Sequence, residues 1–169
     1  MKVLHHGLWL LALVILQPII NSLSIFEITP RTFMLFGLLT GLLCGRIQGL
    51  ACGFVFGLVY DLFIGRFVGV NAFIFMLLGY VGGVLSDRVY SLPYFLTLGA
   101  FVICATVLSE ICYYIIYSME YPGTGFWFTV YRTILPGCIY NTVVGLIMWK
   151  LMTKTLKLCR IKTVLKGSL

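Results

Sequence analysis

Polar residues are scarce along this chain, and their positions divide it. Long apolar runs are separated by small groups of charged, amide, Pro and Gly residues. The runs are helical in length and lack the alternating segments of about ten residues that build an outer-membrane barrel. The pattern predicts an all-α protein with about six membrane spans, at residues 4–23, 33–45, 48–62, 69–86, 94–117 and 134–152, followed by a basic tail at 153–169. In the first span Lys2 and the apolar Leu8–Leu16 look superficially like a secretory signal. No A-x-A site follows and the run continues through Ile20, so it reads as a retained span. Pro18 removes a backbone donor and is expected to kink or loosen this helix, with Gln17 and Asn21 placed to satisfy the freed carbonyls. Glu27, Thr29, Pro30 and Arg31 mark a short loop, and 118–131 reads as a loop whose Phe126, Trp127, Phe128 and Tyr131 suit the headgroup level.

Residues 33–62 carry glycine at every fourth position, Gly37, Gly41, Gly45, Gly49, Gly53 and Gly57. That spacing lines one helix face with small residues and lets backbones approach closely. As one helix the run is roughly 45 Å long, against a hydrocarbon core of about 30 Å. Arg46 and Gln48 fall near its middle, so two short, closely packed spans joined by a turn at 45–48 are expected, with a single strongly tilted helix as the alternative.

Composition turns the pattern into a class. The chain has 169 residues, of which 61% are apolar and 10% charged. A soluble domain has about 45–50% and about 25%. A core of this size cannot hide the excess, which makes a single integral membrane domain the expectation. The net charge is +7, and Lys150, Lys154, Lys157, Arg160, Lys162 and Lys166 all lie in the last twenty residues. Because this cluster directly follows an apolar helix, it reads as a cytoplasmic tail lying on anionic lipid, with no nucleic-acid partner expected. Six spans with both ends inside put Lys2, Arg46, Arg88 and the tail in the cytoplasm, and only Arg31, Arg66 and Arg132 outside. Cys44, Cys52, Cys104, Cys112, Cys138 and Cys159 form no C-x-x-C pair and read as reduced packing residues.

Against this background, the polar residues of 57–71 need a reason, because an ionisable group near hydrocarbon is costly. Asp61 lies five residues before Arg66 and reads in three ways: an interfacial Asp–Arg pair, a buried carboxylate holding a partner's polar group or a neighbouring helix terminus, or part of a proton or cation relay. Asn71, two residues after Gly69, suits a helix cap and is also placed to bond Asp61 and close the loop. Glu110, deep in the fifth span, has no opposite charge within a turn or two. It must pair across helices, reach a polar cavity or be protonated, and Asn141 in the sixth span is a candidate partner. No Ser–His or Cys–His arrangement, P-loop, H-E-x-x-H or paired carboxylates appear, so neither an enzyme nor a cofactor or metal is expected.

The order Gly57-Leu58-Val59-Tyr60-Asp61-Leu62-Phe63-Ile64-Gly65, then Gly69-Val70-Asn71-Ala72, then Gly79-Tyr80 with Gly83, resembles the rod shape-determining MreD family of bacteria. The specific match covers roughly residues 37–88. The resemblance implies a non-catalytic component of the inner membrane's cell-elongation machinery. It also implies a fold similar to the substrate-binding subunits of energy-coupling-factor transporters. The implied partner is MreC, and through it MreB, RodA and a class B penicillin-binding protein. On this reading Gly57, Asp61, Gly65, Arg66, Gly69, Asn71, Gly79 and Tyr80 form a partner-binding or structural motif, with Asp61 as polar anchor for the MreC transmembrane helix or its periplasmic juncture. The competing class is a small-molecule, vitamin-type binding subunit of a transporter, favoured by the buried Glu110.

Overall fold

The computed structural model describes residues 2–22, 29–63, 68–89, 94–120 and 125–158. These form α1 (Lys2–Ser22), α2 (Thr32–Cys44), α3 (Arg46–Phe63), α4 (Val70–Val89), α5 (Tyr94–Glu120), α6 (Phe126–Thr129), a π turn (Val130–Ile134) and α7 (Leu135–Leu158). There is no strand among the described residues. Arg46–Phe63, Phe95–Ile116 and Val130–Leu156 are long and apolar enough to cross a membrane, and His6–Pro18, Thr32–Cys44 and Val70–Ser86 are shorter apolar helices. The fold is all-α and compatible with a polytopic membrane protein.

The centre of the fold is α2. Every residue from Thr32 to Leu43 is buried. At thirteen residues α2 is only about 20 Å long, well short of the hydrocarbon core. It is therefore an interior helix, wrapped by α1, α3, α4 and α7. Gly45 alone separates it from α3. Its φ of +100° is open to glycine and rare for other residues, and its N–H still reaches the Gly41 carbonyl at 2.9 Å. The break is thus one residue long, and Arg46 and Gln48 belong to the first turn of α3 rather than to a loop.

The glycine ladder now has a physical meaning. Gly37 and Gly41 on α2 face Gly53 and Gly49 on α3, as the reversal at Gly45 requires. Along α3, Gly49, Gly53 and Gly57 meet the backbone of α4 at Gly79, at Phe75–Met76 and at Asn71–Ala72. A Cβ on Gly41 or Gly49 would overlap the Gly79 carbonyl oxygen, and one on Gly83 would strike Arg46. Three helices therefore touch backbone to backbone, which only small residues permit. Aromatic side chains fill the rest of this core, with Phe36 stacked on Phe56 at 4.4 Å and Tyr60 edge-on to both Phe33 and Phe75.

Two boundaries differ from the sequence reading. The described residues of 118–131 are mostly helical: α5 runs to Glu120, and Phe126 begins helix that continues to Leu158. The π turn ends two residues before Pro136, and a widened turn is one way a helix accommodates the donor that proline removes. Phe126, Trp127 and Tyr131 are exposed along this segment. In α1 the helix passes through Pro18, and the Pro18 carbonyl accepts from the Ser22 hydroxyl at 3.0 Å. Gln17 instead accepts a 2.6 Å bond from Thr32, tying α1 to the start of α2.

Overpacking a close contact costs about 1–3 kcal/mol. Gly49→Ala should therefore lower the thermal unfolding midpoint in detergent and reduce accumulation in the membrane. Gly137→Ala adds a Cβ that meets nothing within 4 Å, and should leave the midpoint unchanged or raise it by the helix-propensity gain of about 0.5–1 kcal/mol. Equal behaviour of the two variants contradicts the glycine assignment.

Candidate functional site

The polar residues gather at the end of the bundle where α2 and α4 begin and α3 finishes. A helix start leaves N–H groups without partners, and a side-chain oxygen at the N-cap position normally accepts from one of them. At the start of α4 the cap position is Gly69, which has no side chain and sits at φ +99°. Asp61, near the end of α3, supplies the missing acceptor from another helix. One carboxylate oxygen accepts from the Gly69 and Ala72 N–H groups at 2.8 and 3.0 Å. The other accepts from the Asn71 N–H at 3.2 Å and the Asn71 side-chain amide at 2.6 Å. Negative charge is also favoured at this helix end.

This geometry corrects the simplest view of Asn71. Asn71 does not cap α4; Asp61 does, and Asn71 clamps the Asp61 carboxylate from inside the first turn. Of the readings open for Asp61, the structure places it on a neighbouring helix terminus. Gly57 gives the clearance, because a Cβ there would lie 2.5 Å from the Ala72 Cα. Gly65 and Arg66 lie outside the described residues. Gly79 belongs to the helix crossing, and Tyr80 points away from it, 42% exposed. Two buried atoms here have no hydrogen-bond partner among the described residues, Asn71 Oδ1 and the Tyr113 hydroxyl.

A second cluster lies beside the first. Glu110 forms an ion pair with Arg31 at 2.8 Å, and the Arg31 guanidinium rests on the Tyr113 ring at 4.2 Å from its centroid. The partner of Glu110 is thus Arg31 rather than Asn141. Asn141 holds the same residue by its backbone, accepting the Arg31 N–H at 3.0 Å, and donates to the Thr106 hydroxyl at 3.2 Å. Arg31 immediately precedes α2, so this cluster fastens the start of α2 to both α5 and α7. Tyr113 stands within electrostatic reach of Tyr60, Asp61, Arg31 and Glu110. Sequence reasoning missed Arg31 as a site residue. The signal was present as a lone acid inside one span and a lone base at the mouth of another. No group of three or more potential metal ligands occurs among the described residues.

Fold and site together define an all-α membrane protein whose buried polar groups join helix ends. A family model described as rod shape-determining protein MreD matches residues 3–159, and the chain belongs to the MreD family. No curated protein and no solved structure matches it.

Breaking a buried hydrogen-bonded group leaves donors unsatisfied at about 1–3 kcal/mol each. Asp61→Asn, which replaces an acceptor facing N–H groups with a donor, should lower unfolding stability by at least that much. An unchanged unfolding midpoint removes Asp61 from this role. A double-mutant cycle of Arg31→Gln and Glu110→Gln should give a coupling energy of about 0.5–3 kcal/mol, whereas additive effects mean that the pair contributes nothing.

Proposed function

We propose that the protein is a non-catalytic scaffold of the bacterial rod complex in the cytoplasmic membrane. It binds MreC and through it supports peptidoglycan synthesis and cell shape, with MreB, RodA and a class B penicillin-binding protein linked indirectly. The family assignment gives the role in rod shape determination. The observation that favours a scaffold over a reaction centre is that the motif's chemistry is spent internally. Asp61 accepts four bonds and Glu110 is paired, so both act as joints between helices.

On this reading the chain is one membrane domain, multi-pass, with both termini cytoplasmic. The Trp9 indole donates to the Thr155 hydroxyl at 3.4 Å, which sets the first half of α1 beside the last turns of α7 and favours a shared side for the two ends. Lys150 and Lys154 are exposed on α7, as the excess of cations on the cytoplasmic side requires. Partner binding then rests on the shape of the α2–α3–α4 unit. The polar anchor passes from Asp61, which is saturated, to Asn71 Oδ1, the acceptor of the motif still lacking a donor among the described residues.

A mild-detergent pull-down of the tagged protein from its native membrane tests this. Wild type should recover MreC together with elongation enzymes. Asn71→Ala, at matched abundance, should recover several-fold less MreC. Recovery of an ATPase pair with a transmembrane coupling subunit makes the protein a transporter subunit and overturns the scaffold reading.

A further inference from the structure

We propose that the space between α1 and α3 holds one acyl chain of an anionic glycerophospholipid, with its head group at the end marked by His6 and Gln48. The two helices flank a cavity of about 470 Å³ lined by His6, Leu10, Gln48, Cys52, Val55 and Phe56. That volume lies within the range of small-molecule sites, roughly 300–1,000 Å³. Its walls are carbon almost throughout. In a membrane protein an apolar space open to the side is filled by lipid hydrocarbon, not water.

Three observations select the lipid. The first is polarity at one end only. Gln48 Oε1 is buried and has no hydrogen-bond partner among the described residues. A hydrocarbon chain cannot donate to it, but a head-group hydroxyl can. The second is length. Gln48 and Phe56 are eight residues apart on α3, about 12 Å along the axis, so the cavity is deep enough for a chain and not only for a head group. The third is charge. Arg46 opens α3 and is exposed, and Lys150 and Lys154 are exposed on α7. The Trp9–Thr155 bond brings that part of α7 to the first half of α1. Exposed cations thus lie two residues from Gln48 on α3 and on the part of α7 beside α1, which favours a phosphodiester at this end. Phosphatidylglycerol combines the anionic phosphate with hydroxyl donors, whereas phosphatidylcholine offers neither net charge nor a donor.

This inference rests on membrane residence alone, so its failure leaves the scaffold reading standing. The test reconstitutes the full chain in vesicles containing phosphatidylglycerol with a diazirine on one acyl chain, or the matching phosphatidylcholine at the same mole fraction. Illumination and peptide mass spectrometry locate the cross-links. With phosphatidylglycerol, labelling should concentrate at residues 6–10 and 51–56, several-fold above that seen with phosphatidylcholine. Ala51→Trp, which fills the cavity, should abolish it there while labelling at the exposed Phe73 and Ile103 persists. Gln48→Leu should keep the acyl labelling but reduce the preference for phosphatidylglycerol several-fold. This variant decides the matter if Ala51→Trp does not fold. Cavity labelling no stronger than at Phe73 and Ile103, equal for the two lipids, or indifferent to these substitutions overturns the proposal.

Discussion

The fold depends on one steric condition, that α4 lies against α2 and α3 where none of the three has a side chain. The Gly79 carbonyl oxygen occupies the space that a Cβ on Gly41 or on Gly49 would need. Membrane helices gain little from apolar burial against each other, because lipid is as apolar as leucine. Close backbone packing is what remains to hold them. The same condition fixes the register of α3 on α4, with contacts stepping four residues at a time from Gly57 to Gly49. It also explains why α2 can be both short and completely enclosed.

Register then delivers the chemistry. Once Gly57 rests on Ala72, the end of α3 stands beside the start of α4, and Asp61 reaches N–H groups that Gly69 cannot cap for itself. A backbone polar group in hydrocarbon must find an internal partner. Here the partner comes from the neighbouring helix, so that satisfying the cap also locks two helices together. Arg31 does the same for α2, joined to α5 through Glu110 and to α7 through Asn141, while Thr32 bonds Gln17 of α1. These buried polar residues thus sit at the joints of an apolar framework. That is the arrangement expected of a rigid helical framework.

Much of this was legible in the sequence. The fourfold glycine spacing identified the packed faces because helical periodicity alone determines which residues share a face. The proximity of Asp61 and Asn71 followed from a loop of only a few residues between two helices. That Asp61 holds a neighbouring helix terminus was one of three open readings; the choice among them, and the displacement of Asn71 from the cap, depend on Gly69 adopting a positive φ and on α3 approaching from outside the helix it caps. The Arg31–Glu110 pair was not legible, since its members lie just before α2 and within α5 and meet through packing that no local pattern encodes. The helical path through 126–134 was hidden because its aromatic residues suit a headgroup-level loop as well as a helix end.

Hydrogen–deuterium exchange on the purified protein carrying Gly79→Ala tests the central claim most directly. If the three helices form one unit through this crossing, exchange should rise together in α2, α3 and α4 while α5 and α7 keep their protection. Faster exchange confined to α4, or spread evenly over all helices, would contradict the account.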